Sequence, residues 1–310
     1  MSDTVKKATR DGYGDGLVKL AELRPDMVVL DADLAAATKT GVFAKVNPEK
    51  FFNCGIQEQN MMGVAAGVAS TGKLVFASSF AMFAAGRAFE IIRNSIAYPK
   101  LNVKIGATHG GISVGEDGAS HQCNEDIALM RVIPNMTIIN PSDYIEAEAA
   151  VLAMAEHIGP AYLRFGRLAA PVFNDNPDYC FKIGKGNQLR DGNDAAIIAT
   201  GLMVSEALSA HDELKERGIN ARVINIHTIK PLDKEIIINA AKETGKIITV
   251  EEHSVIGGLG SAVCDVLSEV YPIPVKKIGV EDVFGYSGPA AELLKKFGLS
   301  CECIVKAVMS

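Results

Sequence analysis

The strongest constraint on the fold is an alternation that occurs twice along the chain: short runs rich in Val, Ile and Ala, each followed by a longer stretch with helical spacing of apolar residues. In the first half the runs are MVVLDAD from Met27, KLVFASS from Lys73, NVKIGATH from Asn102, MTIINPS from Met136 and AYLRFGR from Ala161. Helical spacing covers residues 16–23, 58–69, 82–97, 124–132 and 144–156. Asp143, after Pro141 and Ser142, marks a helix start, because its side chain can accept from the free amides of a first turn. The alternation then stops. Residues 170–193, APVFNDNPDYCFKIGKGNQLRDGN, lack helical period and read as a linker with room for a short hairpin. It restarts with DAAIIATG, a helix in VSEALSAHDELKERG, ARVINIH, a helix over 233–243, KIITVEEH, a glycine-led helix to Leu267, PVKKIGV and a last helix from Pro289. Strand runs alternating with helices predict mainly parallel sheets covered by helices on each side. The expected architecture is α/β, with two doubly wound domains over 1–175 and 193–310 and a linker over 176–192.

Composition agrees with two cores and narrows the partners. The chain has 310 residues, 48% of them apolar, and single cores rarely grow beyond about 250 residues. Its formal net charge is −6, with Lys and Arg scattered, so no basic stripe points to nucleic acid and no polybasic anchor to a membrane surface. The apolar region 61–89 is broken by Lys73 and Arg87 and falls short of a membrane span. The six cysteines show no C-x-x-C pair, and the start MSDTVKKATR has no apolar signal core. A reduced, cytoplasmic protein is expected.

The densest polar cluster, residues 107–126 (ATHGGISVGEDGASHQCNED), directly follows a predicted strand. In open α/β sheets ligands bind beyond the carboxyl ends of the strands. His109, Glu116, Asp117, His121 and Glu125 stand there among glycines that let backbone approach a ligand closely. A flexible surface loop is the competing reading; a zinc site is disfavoured, because two histidines separated by eleven residues fit no common pattern. Asp31 and Asp33 end the first predicted strand, where binding and helix capping compete. Arg164 and Arg167 end another, and arginine suits a planar clamp on phosphate. Glu58 stands at the mouth of a run of small apolar residues in FNCGIQEQNMMGVAAGVA, where the plain alternative is an acid favouring a helix N-terminus. Gly257-Gly258-Leu259-Gly260 lacks full dinucleotide-loop spacing and reads as a tight turn.

Together, GIQEQNM with its Gly/Ala helix, FASSFAMFAAGRAFEIIRNS, THGGISVGEDGASHQ and NPSD resemble the pyrimidine-binding domain of transketolases. DAAIIATG, VEEH and GGLGSAV are similar to the transketolase C-terminal domain. The resemblance covers essentially the whole chain and is most specific in the GEDGASHQ stretch. It implies thiamine diphosphate as cofactor and transfer of a two-carbon ketol unit from a ketose phosphate to an aldose phosphate. Glu58 then hydrogen-bonds N1′ of the aminopyrimidine, from an apolar, partly buried pocket, while Phe80 and Phe83 sandwich the ring. Asp33 matches an aspartate near the thiazolium. His109 meets the donor phosphate or terminal hydroxyls, Asp117 the acceptor's C2 hydroxyl, and His121 the ketol hydroxyls and their proton transfers. Arg10 and Arg167 match phosphate-contacting arginines. One departure stands out: Ala37, with Thr38 beside it, replaces the usual phosphate-binding serine.

Full-length transketolases begin with a further domain that holds the diphosphate through a metal ion. Gly14-Asp15-Gly16 with Asn47 has the letters of that domain's motif, but KKATRDGY precedes it where an apolar strand is needed. The resemblance therefore implies the C-terminal subunit of a split transketolase. Mg²⁺ (or Ca²⁺) is then held mainly by an N-terminal-type partner, in an α2β2 assembly, and no metal ligand is assigned to this chain. The alternatives are a split 1-deoxyxylulose 5-phosphate synthase, which usually has an acid where His109 stands, a 2-oxoacid dehydrogenase β-type subunit, and a catalytically silent regulatory subunit.

Overall fold

The structure, a computed structural model, describes residues 5–176 and 179–310. Its strands are β1 (Lys6–Ala8), β2 (Val28–Asp31), β3 (Phe51–Asn53), β4 (Val75–Phe80), β5 (Val103–Thr108), β6 (Thr137–Ile139), β7 (Ala161–Arg164), β8 (Ala169–Pro171), β9 (Asn187–Arg190), β10 (Ala195–Ala199), β11 (Ala221–Asn225), β12 (Thr228–Lys230), β13 (Ile247–Ser254) and β14 (Val275–Val280). The larger sheet has the order β12-β6-β7-β5-β4-β2-β3 and is parallel except for β12. The second has the order β14-β13-β10-β11-β9, parallel except for β9.

Apolar runs form these strands because both faces of each sheet are covered. Along β2, Val28 and Leu30 enter one core with Met61, Ala65 and Ile92, whereas Val29 enters another with Tyr13, Leu17 and Val151. That is the two-residue period of a strand buried on both sides. The second sheet repeats it: Ala195, Ile197 and Ala199 face one core, Ala196 and Ile198 the other.

The Glu58–Ala69 helix occupies the residues its pattern predicts. Asp143 caps the Tyr144–Ala153 helix, its carboxylate accepting from the Glu146 amide at 2.8 Å. Residues 82–97 are helical throughout but for Ala88, with two wide turns, Met82–Arg87 and Ile92–Ala97. The helix expected over 16–23 begins earlier and spans Thr9–Leu23, so Gly14-Asp15-Gly16 lies inside a helix. Its glycines serve packing: a β-carbon on Gly12 would strike the Tyr144 carbonyl oxygen, and one on Gly16 would meet Val151. The last expected helix is two, Ala290–Lys296 and Cys301–Met309, broken at Gly298 with φ +75°.

The stretch read as a linker forms no hairpin of its own among the described residues. Its first strand, β8, pairs with β1, and β9 adds to the edge of the second sheet beside β11; Pro177 and Asp178 of the expected linker lie outside the described residues. The short strand β12, far along the second half, crosses to pair with β6.

Candidate active site

The sequence-predicted residues converge on one edge of the larger sheet, at the carboxyl ends of its parallel strands. Phe80 ends β4, His109 follows β5, Asp33 follows β2 and Arg167 follows β7. Glu58 opens its helix and Arg10 lies in the first turn of another. This is the edge where open α/β sheets bind ligands.

An aromatic wall forms the middle of the site. Phe80 and Phe83 stack with ring centroids 5.9 Å apart, and His109 stacks on Phe80 at 3.8 Å. His121 meets Phe83 edge-on at 5.2 Å. Phe83 is half-buried and belongs to none of the core clusters, whereas Phe80 is buried with the imidazole stacked on it.

His109 takes a left-handed backbone, φ 59°, unusual for a residue with a side chain. The turn aims its ring at a charged neighbour: Arg10 Nη1 lies 3.2 Å from His109 Nε2. Arginine only donates, so Nε2 accepts and the ring proton sits on Nδ1, where it can donate to Thr108 Oγ1 at 2.9 Å. Burial, then the charges of Arg10 and Arg167, hold the imidazole's pKa down to about 3. Arg167 stands beyond the strand end, donating to the Val114 carbonyl at 2.6 Å and lying 3.5 Å from both Glu116 and Asp117. Two arginines and a neutral histidine thus line a wall suited to an anion. Half-exposed pairs such as Arg167 with Asp117 are weak enough in water to exchange for one.

Glu58 is 1% exposed, but its surroundings are not simply apolar. Arg87 Nη1 contacts its Oε2 at 2.6 Å, and Ser79 Oγ donates to Oε1 at 3.3 Å. Arg87 also lies over the Phe83 ring at 4.9 Å, one helical turn on. Sequence reasoning missed Arg87, although its i, i+4 spacing from Phe83 was available as a signal.

Two pairs of neighbours divide their roles. Asp31 is fully buried and accepts from the Leu34 amide and from the hydroxyls of Thr38 and Thr40, at 2.5, 2.7 and 2.8 Å. Burial pushes its carboxyl pKa up against those hydrogen bonds. Asp33 faces outward, accepting only from Asn53 among the hydrogen bonds described. Thr38 is thereby turned inward and cannot take the place of the usual serine, while the Ala37 carbonyl accepts from Arg10 at 3.1 Å. Arg164, offered by the sequence as a phosphate clamp, is 4% exposed and paired with Asp126 at 2.8 Å. It points into the protein; Arg167, three residues on, points to the site.

Among the described residues no group of three or more His, Cys, Asp and Glu side chains could hold a metal ion. No described helix is long and apolar enough to cross a membrane.

Two doubly wound units with a glutamate, an aromatic stack and an anion wall at one sheet edge define the class of fold. Residues 5–172 match the transketolase pyrimidine-binding domain, and residues 184–304 the transketolase C-terminal domain. The chain belongs to the transketolase family and corresponds to its C-terminal section. It is 54% identical over 307 residues to a putative transketolase C-terminal section of Methanocaldococcus jannaschii, covering 98% of this chain and 96% of that one. It is 43% identical over 298 residues to a 6-deoxy-6-sulfo-D-fructose transketolase subunit of Clostridium sp. (strain MSTE9), covering 96% and 92%. Its fold superposes on a split-gene transketolase solved as an inactive β4 tetramer, with TM-score 0.88, 54% identity and 97% of each chain covered.

Proposed function

We propose that this chain is the C-terminal subunit of a split transketolase, moving a two-carbon ketol unit from a ketose phosphate to an aldose phosphate with thiamine diphosphate. A partner chain of the N-terminal type holds the diphosphate and its Mg²⁺ (or Ca²⁺), in an α2β2 assembly with each active site between unlike chains. The observation that carries this reading is the nearly inaccessible Glu58 carboxylate beside the Phe80–Phe83 stack. The β4 tetramer of the related split-gene transketolase, inactive as solved, supports the need for a second kind of chain.

The residues present fit the pyrimidine end of the cofactor. Arg87 engages Oε2 of Glu58, whereas Oε1 has only the longer Ser79 contact and is the oxygen free to meet a ring nitrogen. Phe83, and Phe80 behind it, offer the apolar faces a flat heterocycle needs. When bound, thiamine diphosphate supplies the nucleophilic carbon and the electron sink for breaking a carbon–carbon bond beside a carbonyl. Glu58 holds a proton at N1′ and so fixes the tautomer of the aminopyrimidine. His121, edge-on to the stack, exchanges protons with the ketol hydroxyls, and Asp117 receives the acceptor's C2 hydroxyl. Asp33, exposed at the same sheet edge, would stand toward the thiazolium. Arg10, Arg167 and His109 grip the anionic end of the sugar. With Thr38 turned away, that grip rests on the arginines and not on a hydroxyl. A sulfonated sugar has the same anionic end, so the 6-deoxy-6-sulfo-D-fructose relative is compatible with such a wall.

The test is an assay of the chain alone, then with its partner chain, thiamine diphosphate, Mg²⁺, a ketose phosphate and an aldose phosphate. Activity only with the partner is expected; full activity from the chain alone would sink the split-enzyme reading. Glu58→Ala should abolish turnover and leave assembly intact, and near-normal rates in that variant would remove Glu58 from the chemistry.

A further inference from the structure

The loop that carries Asp117 and His121 is held from two sides: on the side of the sheet it leaves, Arg167 donates to the Val114 carbonyl and the Gly110 amide to the Phe165 carbonyl, and the C-terminal domain fastens it at both of its ends. The Ser113 amide donates to Oε1 of Glu252, on β13, at 2.6 Å. Ile112 beside it is fully buried in the core cluster of Ile197, Val250 and Leu293, which belongs to the second sheet and its helices. At the far end of the loop, Gln122 Nε2 donates to the Tyr286 carbonyl at 3.0 Å, and the Ser254 amide to the Asn124 carbonyl at 2.7 Å. Gly111, φ +90°, is where the loop turns in; a β-carbon there would collide with the Glu252 carboxylate. A glycine is thus required both by the backbone and by the close approach.

Glu252 is 3% exposed, and its surroundings fix its direction. Arg164 Nη2 donates to the Glu252 backbone carbonyl at 2.9 Å and to that of Cys123 at 3.3 Å. The same guanidinium is paired with Asp126, which also accepts from the Tyr162 hydroxyl. Burial pushes the Glu252 carboxyl pKa up, and Arg164 and the Ser113 amide oppose it. A buried carboxylate whose own backbone is held by a guanidinium and whose Oε1 accepts from a loop amide restricts where that loop can go.

We infer that Glu252 is a positioning residue for the transfer reaction: through the Ser113 amide, the C-terminal domain sets the loop bearing Asp117 and His121 against the sugar site. This rests on the transketolase reading above and gives the C-terminal domain a role beyond assembly. No described hydrogen bond or ion pair joins Glu252 to the elements that carry Glu58 and Phe83, so sugar handling and cofactor binding should separate.

The experiment compares Glu252→Gln with Glu252→Asp in the complex with the partner chain. Gln keeps the acceptor and loses the charge; Asp keeps the charge beside Arg164 and withdraws the acceptor by one methylene. The expected result is kcat/KM for the sugar phosphate within about threefold of normal for Gln and lowered about tenfold or more for Asp, since small misplacements of reacting groups are costly. The Kd for thiamine diphosphate stays unchanged in both. Hydrogen exchange, measured on the same complexes without substrate, should rise at residues 110–122 for Asp and not in the Glu58–Ala69 helix. The opposite ranking, an equal loss of sugar and cofactor affinity, unchanged loop exchange in Asp, or failure of Gln to fold would overturn the inference. If the wild-type complex proves inactive, the transketolase reading falls and the exchange arm alone decides whether Glu252 holds the loop.

Discussion

Arg164 and Arg167 lie three residues apart and should respond to the same substitution in different ways. Replacing Arg164 by Met strands Asp126, which is fully buried and loses the Nε contact at 2.8 Å. It also removes the Nη2 donor from the carbonyls of Cys123 and Glu252. Removing one partner of a buried pair leaves an uncompensated charge and costs about 3–5 kcal/mol. Arg167 is 37% exposed at its side chain and its carboxylate partners lie 3.5 Å away, so Arg167→Met should cost only about 1 kcal/mol, chiefly from the lost bond to the Val114 carbonyl. Urea unfolding of the isolated chain, followed by far-UV circular dichroism, measures both. A double variant, Arg164→Met with Asp126→Asn, removes both charges and keeps an acceptor for Tyr162, and should recover at least about 1 kcal/mol of the single loss. The assignment is refuted if Arg164→Met costs less than about 1 kcal/mol, or if Arg167→Met proves the more damaging of the two. In the sugar assay the ranking reverses for the surface arginine: Arg167→Met should raise KM for a phosphorylated sugar, with a smaller effect on an unphosphorylated one.

Three further outcomes follow from the packing and the buried titrating groups. Gly63 in the Glu58–Ala69 helix has open space where a β-carbon would go, whereas Gly12 in the Thr9–Leu23 helix abuts the Tyr144 carbonyl. In the chain alone Gly63→Ala should therefore stabilise by about 0.5–1 kcal/mol and Gly12→Ala destabilise by about 1–3 kcal/mol, and thermal melts showing the same sign for both would contradict the close contact. His109 has its folded pKa lowered from 6.5 to about 3, mainly by burial. Its imidazole should stay neutral in an NMR titration of the free chain at pH 5, and its contribution to stability should be lost as pH falls from 6.5 toward 3; protonation near pH 6.5 would refute the closed Arg10–His109 geometry. Glu251 accepts from the amides of Leu259 and Gly260, at 2.6 and 2.8 Å, yet burial raises its pKa from 4.5 to about 7. A raised folded pKa means stability from this group is full below pH 4.5 and lost as pH rises through 7, so Glu251→Gln should flatten that part of the stability profile, as read by urea midpoints across the range.

Much of the site was legible because strand and helix ends are local events. Glu58 opens a helix whose pattern is continuous from its first residue, and His109 directly follows an unambiguous apolar run; Phe80, one residue past the strand read as KLVFASS, came from the family resemblance and ends β4. The short edge strands were not legible: β3, β9 and β12 have three, four and three residues, too few for a period, and they form because a neighbouring edge offers hydrogen bonds. The expected hairpin failed for the same reason, β8 and β9 finding partners outside the segment. The apolar, partly buried pocket expected around Glu58 is polar on one side, because Arg87 from another helix pairs with its Oε2.

The sequence by itself determined the α/β alternation, the family and the sheet edge on which the candidate residues lie, since each depends on neighbours a few positions apart. Tertiary structure alone decided which of two nearby arginines faces inward, that Thr38 bonds Asp31 instead of a ligand, and that Ile112 fills the core of the other sheet. It also joined Ser113 to Glu252, 139 residues away. Contacts of that separation depend on how two sheets pack, and packing sums over the whole chain; no local pattern carries it.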